Sequence, residues 1–334
     1  MRYILLLVLL AAALVLNLSL GSADIPLKDT LGVLLGRDGL PETWRYIIWD
    51  YRLPKALTAI LAGSGLALSG LLMQTFFRNP LAGPFVLGIS SGASLGAALL
   101  ILGASLLPVA AGVWFSDAGL ALASSLGSFL VLAVVLTVSA RLKDAMALLI
   151  VGLMFGSITA ALVTVLASFS NAEALQQYIF WSYGSVGNLS WGQLGILLVV
   201  FLAGCGISLW QVKGLNALLL GEKYAASMGT SLPRLRFWLI LATGLLAGGV
   251  TAFTGPIAFV GLAVPHLTRL WFTTSDHRHL LPGVLGVGAA LMLVCDTVAQ
   301  LPYSAYVLPI NAITSVVGAP VVIWLLLRRN KMLF

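Results

Sequence analysis

Long apolar runs dominate the chain, and only short polar stretches separate them. An Asp, Lys or Arg at the centre of a membrane helix costs about 2.5 to 3.5 kcal/mol, so nearly charge-free windows of about 20 residues mark candidate spans. The pattern predicts an all-α polytopic membrane protein with ten transmembrane helices. The predicted spans cover residues 4–20, 55–77, 86–107, 118–140, 146–169, 191–210, 235–254, 257–272, 280–300 and 306–327.

The composition excludes an ordinary soluble protein. Of the 334 residues, 60% are hydrophobic and only 9% are charged, whereas soluble domains carry about 25% charged residues. No Pro-rich or Ser-rich linker divides the chain. We therefore expect residues 1–334 to form a single membrane domain in contact with lipid.

The distribution of Lys and Arg predicts the orientation in the membrane. Of the 18 basic residues, thirteen fall on one predicted side of the membrane. Because cytoplasmic flanks carry the excess of Lys and Arg, both termini are predicted to be cytoplasmic. The same bias accounts for the net charge of +7 without a nucleic-acid partner. The basic residues on the opposite side are Lys28, Arg37, Arg45, Arg52 and Lys55.

The first apolar segment has two interpretations. Arg2 precedes the apolar run, and Gly21-Ser22-Ala23 resembles the small-residue cleavage site of a signal peptide. Alternatively, the segment stays in the protein as its first span. Cleavage would leave the orientation of the other nine predicted spans unchanged.

A weak internal repeat links the two halves of the chain. The motif Gly65–Gly70 followed by Gly83–Gly88 parallels Gly244–Gly249 followed by Gly255–Gly261. The shift is five spans, an odd number, so the two copies would cross the membrane in opposite directions. Inverted repeats are typical of transporters. Chance recurrence of small apolar residues explains the pattern equally well at this stage.

The sequence offers few groups for catalysis or metal binding. It has no Gly-Lys-Ser/Thr segment, so a Walker A loop for ATP phosphates is absent. His266 follows Pro265 in a predicted span, where a hydrogen-bonded packing role is the better interpretation. His277 and His279 lie beside Asp276 in a predicted cytoplasmic turn, and we expect both to be solvated.

Asp296 is the carboxylate that falls well inside a predicted span. Burying an ionisable group in a membrane is costly, so such residues are functional candidates. An ion-coupled secondary transporter could use it. Against that hypothesis, one acid without an intramembrane basic partner would make a poor relay, and Thr297 or backbone groups could satisfy the carboxylate.

Residues 215–229 form part of the longest polar stretch on the inner side. Gly221 interrupts the segment, Glu222 follows it as an acid in a first helical turn, and Gly229 provides a stop. The pattern predicts two short helices that form a ridge on the cytoplasmic face.

Several motifs, in order and at matching spacing, resemble the FecCD family of permeases, which belong to type II ATP-binding-cassette (ABC) importers. The resemblance runs from about residue 45 to residue 327. The matching motifs are Arg52-Leu53-Pro54-Lys55, Asn79-Pro80-Leu81-Ala82, Gly88-Ile89-Ser90-Ser91-Gly92-Ala93, Leu220-Gly221-Glu222, Gly255-Pro256-Ile257-Ala258-Phe259-Val260-Gly261-Leu262, Val264-Pro265-His266, Leu308-Pro309-Ile310 and Gly318-Ala319-Pro320.

The resemblance implies a ten-helix permease of the bacterial inner membrane, retaining its first helix, with an inverted repeat of helices 2–5 and 7–10. It implies a homodimer whose pathway runs between helices 5 and 10 of the two copies. Two cytoplasmic ATPase subunits would bind below and a substrate-binding protein above. The chain would not be an enzyme and would bind no cofactor, since ATP is used by the partner. Siderophore, haem and cobalamin remain open as cargo, with iron chelates ahead.

The resemblance also assigns residues to roles. For ATPase coupling it implies Leu220, Gly221, Glu222, Ala225, Met228 and Gly229. For docking of the binding protein it implies Arg52, with Arg45 as a compensating charge because Gln300 replaces a second docking arginine of a related permease. For the cytoplasmic gate it implies Leu81, Ala145 and Met146. A non-transporting scaffold, the remaining alternative, would leave the ridge unexplained.

Overall fold

The computed structural model describes residues 1–21, 23–104, 117–142, 145–187, 189–301, 304 and 306–327, and this part of the chain folds into helices without strands. Irregular helical turns lie between some of these helices: Ile47–Arg52 and Gly244–Gly248 are π-helical turns, and Pro84–Leu87 is a 3₁₀ turn. The helices are α1 (Arg2–Ser19), α2 (Leu27–Leu34), α3 (Glu42–Tyr46), α4 (Leu53–Phe76), α5 (Ile89–Ala104), α6 (Asp117–Arg141), α7 (Ala145–Phe169), α8 (Ala172–Ser182), α9 (Trp191–Trp210), α10 (Val212–Leu219), α11 (Glu222–Ser227), α12 (Leu232–Thr243), α13 (Gly249–Thr254), α14 (Val260–Phe272), α15 (His277–Ala299) and α16 (Ile310–Leu327).

The predicted all-α membrane fold is confirmed. Among the described residues, seven helical stretches are long and apolar enough to cross a membrane, and two shorter apolar helices cover Ile89–Gly103 and Ile310–Trp324. Helix α14 has 13 residues, which is short for a span of about 20. The count of ten crossings therefore stays a prediction.

Helix α4 forms the centre of the molecule. Almost all of its residues are buried, and it packs against α9, α12, α14 and α15. Its backbone approaches that of α15 most closely where Gly63 faces Gly288, because a Cβ atom on either glycine would collide with the carbonyl oxygen of the other. Small residues permit such close helix contacts in membranes. The pair α4 and α15 is thus the packed core on which the remaining helices lie.

The two halves of the chain repeat the same contacts. In the first half α4 packs on α15, and in the second half α12 and α13 pack on α6. Helix α5 contacts α6 and α7, just as α14 contacts α15 and α16. Gly88 before α5 and Phe259 before α14 both adopt the left-handed conformation, with φ of 74° and 65°. These correspondences support the internal repeat over chance recurrence. The opposite orientation of its two copies depends on the number of crossings and stays a prediction.

Helix α1 packs along α15. Arg2 at its start donates hydrogen bonds to the Phe272 carbonyl (2.5 Å) and the Thr273 hydroxyl (2.7 Å). The segment that follows α1 folds over the outer end, where Ile25, Val33 and Ile48 form a small apolar cluster. The protein therefore has an ordered layer at the predicted external face.

Candidate functional site

The predicted ridge consists of α10 and α11, two short helices separated at Gly221, and this element prediction is confirmed. We call residues 212–229 the ridge. Gly221 has φ of 107° and ψ of 153°, a region that residues with a Cβ atom rarely adopt. Gly229 ends the second helix with φ of 84°. The two glycines therefore define where the ridge turns and where it stops.

Replacing Gly221 by Ala is expected to destabilise the ridge by about 1–3 kcal/mol, because a non-glycine residue is strained in that conformation. Space is not the cause, since the nearest atom to an added Cβ is Arg78 Nη1 at 3.5 Å. Limited proteolysis of segment 211–231 should become faster. The matched control is Gly206→Ala in α9, where an added Cβ meets nothing within 4 Å; equal proteolysis of the two variants would contradict the prediction.

Some apolar side chains of the ridge are exposed, and others are buried and hold the ridge in place. Leu220 and Met228 are 61% and 62% exposed, and Tyr224 is 55% exposed. Ala225 and Leu215 are fully buried. Of the predicted coupling residues, Leu220 and Met228 could contact a partner directly, whereas Ala225 supports the ridge from below.

Glu222 ties the second ridge helix to the membrane-spanning body. Its carboxylate accepts two hydrogen bonds from Arg236 Nη2, at 2.9 and 3.0 Å. Arg236 also donates from Nη1 to the Leu142 carbonyl at 3.3 Å. The contact connects α11 to the first turn of α12 and to the end of α6. Glu222 therefore acts within the protein as a fastening point of the ridge.

The first ridge helix is fastened by Asn216, which the sequence analysis did not single out. Its Oδ1 accepts hydrogen bonds from the His277 backbone N–H (2.9 Å) and from His277 Nδ1 (2.8 Å). Its Nδ2 donates to Asp276 at 2.6 Å. His277 Nε2 lies 2.9 Å from the Thr75 hydroxyl. We call Asn216, Asp276, His277 and Thr75 the connector.

The connector joins three elements: α10 of the ridge, the start of α15 and the end of α4. Hydrogen bonds to the Arg278 backbone N–H and to Asn216 hold the pKa of Asp276 below its usual value, so this N-cap carries a negative charge at neutral pH. The expectation that His277 is solvated is wrong, because its side chain is completely buried. His279 is exposed, as predicted.

The residues assigned to the cytoplasmic gate lie at element boundaries. Leu81 is 44% exposed in the loop after α4, and its backbone N–H donates to Asn79 Oδ1 at 2.9 Å. Met146 is exposed in the first turn of α7, which begins at Ala145; the side chain of Ala145 lies outside the described residues. His266 Nε2 lies 2.8 Å from the Pro80 carbonyl, which confirms its hydrogen-bonded packing role. The gating role stays a prediction.

Arg52, to which the resemblance assigns docking of the binding protein, is largely buried, and the docking role stays a prediction. The residue is 8% exposed. Its guanidinium donates to the carbonyls of Leu18 (2.8 Å), Ser19 (2.9 Å) and Ala23 (2.6 Å), so it satisfies the open end of α1. Arg45, by contrast, is exposed, and its Nη2 lies 3.5 Å from Asp38 Oδ1.

Asp296 has a basic partner, contrary to expectation. Lys55 Nζ lies 3.1 Å from Oδ1, and Oδ2 accepts hydrogen bonds from Asn17 (2.9 Å) and Gln300 (2.8 Å). Thr297 does not satisfy the carboxylate as expected, since its hydroxyl donates to the Leu293 carbonyl. The carboxylate is thus paired and tied to α1 and α4, and Gln300 belongs to this cluster.

The family model described as the FecCD transport family matches residues 8–328. The chain belongs to the FecCD transport family. The resemblance inferred from the motifs is therefore confirmed over nearly the whole chain.

Two curated relatives are vitamin B12 import system permease proteins named BtuC. The protein from Klebsiella pneumoniae subsp. pneumoniae is 39% identical over 321 residues, covering 96% of this chain and 91% of the relative. The protein from Shigella boydii serotype 18 is 37% identical over 328 residues, covering 97% and 94%. Both alignments include the ridge and the connector within their extent.

Two solved structures share the fold. One, described as a metal-chelate type ABC transporter in an inward-facing conformation, is 33% identical with a TM-score of 0.83 and 97% coverage of each chain. The other, PsaBC from Streptococcus pneumoniae, is 14% identical with a TM-score of 0.56, covering 88% of this chain and 94% of that chain. The second likeness concerns the fold alone.

Proposed function

We propose that this chain is the membrane-spanning permease subunit of an ABC importer and that its ridge receives the ATPase. The observation that carries the proposal is the ridge itself. It exposes Leu220, Tyr224 and Met228, while Glu222 and Asn216 fasten its two helices to the bundle. A patch that is apolar outside and rigidly held inside is suited to pass a partner's movement to membrane helices.

The proposed energy source is ATP hydrolysis in two separate cytoplasmic subunits, and the chain itself is a permease without an enzymatic step. A second copy of the chain would complete the pathway. Helices α7 and α16, the predicted walls of that pathway, expose apolar side chains such as Ile158, Leu162, Val316 and Ile323. A substrate-binding protein would dock at the external face, where Arg45 is an exposed basic residue.

The proposed cargo is a corrinoid of the vitamin B12 type. The two relatives described above carry vitamin B12 import in their names. This favours cobalamin as cargo over iron chelates, which the resemblance had placed first. Siderophore and haem stay as alternatives, because the solved neighbour at 33% identity is described as a metal-chelate type transporter. Affinity for the cargo is proposed to reside mainly in the binding protein.

The ion-coupled alternative loses its main support. That hypothesis requires Asp296 to bind and release a proton or a metal cation during transport. The carboxylate is 2% exposed and pairs with Lys55, so its charge is already compensated. An ion-coupled carrier would also leave the exposed apolar ridge without a role.

The proposal is tested by the affinity of the purified chain for its ATPase subunit. Replacing Met228 by Asp should weaken binding about 30-fold, the effect of losing a central contact worth about 2 kcal/mol. The control is His279→Asp, which places the same charge at another exposed cytoplasmic position. Equal binding by both variants and the wild type would show that the ridge is not the docking surface.

A further inference from the structure

A cavity of about 680 Å³ lies beside the ridge, between the end of α6 and the first turns of α12. Leu136 and Ala140 of α6 form one wall, and Phe237 and Trp238 of α12 form the other. Ala140 and Phe237 are exposed, so the cavity opens on the surface of the helix bundle. Its volume falls within the range of ordinary ligand pockets. These four wall residues are not among those proposed to line the cargo pathway, whereas Glu222 and Arg236, which also line the cavity, fasten the ridge.

The cavity lies at the ends of two candidate membrane-spanning stretches, on the side predicted to be cytoplasmic. Residues at the start of the apolar stretch Leu232–Thr254 line the cavity. The stretch Trp191–Trp210 ends beside it, at Trp210. The rings of Trp210 and Trp238 pack edge to face with centroids 5.4 Å apart. Tryptophan prefers the interfacial region of a bilayer. A molecule in the cavity would therefore have one end among lipid headgroups and the other beside acyl chains.

The mouth of the cavity is basic. Arg234 is exposed and Arg236 is half-buried on its wall. Arg141 is exposed next to the lining residues Ala140 and Leu142 of α6. One acidic residue, Glu222, is on the wall, and it is engaged by Arg236. The charge at this mouth is therefore positive, above walls that are largely apolar.

We propose that this cavity binds an anionic phospholipid of the cytoplasmic leaflet. Arginine recognises phosphate through paired hydrogen bonds, and Arg234 is placed to hold the headgroup phosphate with Arg236 beside it. Leu136 and Phe237 offer an apolar surface for the first part of an acyl chain. The site requires both features at once, a negative headgroup and a hydrocarbon tail. It is separate from the proposed cargo pathway between α7 and α16.

The test is a lipid titration of the purified chain followed by native mass spectrometry. Phosphatidylglycerol and phosphatidylcholine with identical acyl chains serve as probes, and the wild type should bind the anionic lipid more tightly. Arg234→Gln should weaken phosphatidylglycerol binding about fivefold, the contribution of one basic residue at a membrane surface. Arg278→Gln, which removes an exposed cytoplasmic arginine outside the cavity, should leave the binding unchanged.

A second variant tests the apolar part of the site. Ala140→Trp fills the exposed wall without altering any charge, so it should reduce phosphatidylglycerol binding while the protein keeps its thermal stability. Equal affinity of the wild type for the two lipids would overturn the proposal. Equal losses in Arg234→Gln and Arg278→Gln would overturn it too, because binding would then follow overall charge and not this cavity.

Discussion

Replacing Asn216 by Leu is expected to lower ATP-driven uptake about tenfold while the protein remains folded in the membrane. Leucine cannot accept the two hydrogen bonds from His277 or donate to Asp276, so the ridge loses its link to α15 and, through His277, to α4. The buried side chains Leu215 and Leu218 keep the ridge attached. Coupling free energies of about 1–3 kcal/mol correspond to about 5- to 150-fold changes.

The measurement compares ATP hydrolysis and cargo uptake in the same reconstituted complex. Hydrolysis should continue in Asn216→Leu, so the number of ATP molecules consumed per transported cargo should rise. Lys213→Gln is the matched control, since Lys213 is an exposed residue of the same helix. If uptake and hydrolysis fall together in Asn216→Leu, or neither changes, the connector does not transmit the movement.

Replacing Lys55 by Met is expected to destabilise the protein by about 3–5 kcal/mol, the cost of leaving a buried charge without its partner. The ammonium group lies 3.1 Å from Asp296, whose side chain is almost completely buried. Asn17 and Gln300 would still donate to the carboxylate, but they carry no compensating charge. The measurement is the denaturation midpoint of the purified chain in detergent.

The double variant Lys55→Met with Asp296→Leu separates charge from packing. Removing both charges should restore most of the lost stability, because an apolar pair of similar volume can replace a buried ion pair. Transport by a stable double variant would also show that Asp296 is not an ion carrier. A double variant that is less stable than Lys55→Met alone would contradict this account of the cluster.

Long apolar runs were sufficient to predict the long helices, whereas their exact ends depend on backbone conformation. The predicted span 55–77 corresponds to α4, and the predicted break at Gly221 corresponds to the break between α10 and α11. The predicted span 257–272 begins later, at Val260, because Phe259 adopts φ of 65°. Nothing in a hydrophobicity pattern indicates that conformation for a phenylalanine.

The sequence analysis missed the short helices α2, α3 and α8, although a sequence signal exists for α8. Residues 170–190, between two predicted spans, contain α8, which begins after Asn171. The Asn171 side chain accepts a hydrogen bond from the Ala174 backbone N–H at 2.8 Å, and Glu173 lies in the first turn. Asparagine followed by an acidic residue is an ordinary helix start. Capping analysis of the polar segments would have found it.

The polar residues were harder to assign because their partners are distant in the sequence. Asn17 and Asp296 are 279 positions apart, and Thr75 and His277 are 202 positions apart. Without these pairings His277 resembles a loop residue, Arg52 an exposed arginine and Asp296 an unpaired acid. Motif resemblance supplied the proposed role of the ridge but could not reveal Asn216, since the connector depends on three elements meeting in space.

The central claim is tested most directly by uptake in proteoliposomes that contain this chain, its ATPase and internal ATP. Binding protein and labelled cobalamin, ferric siderophore or haem are supplied outside. The account predicts accumulation that requires ATP and the ATPase, with cobalamin as the preferred cargo. Accumulation driven by a proton or sodium gradient without the ATPase would contradict it and would identify the chain as a secondary transporter.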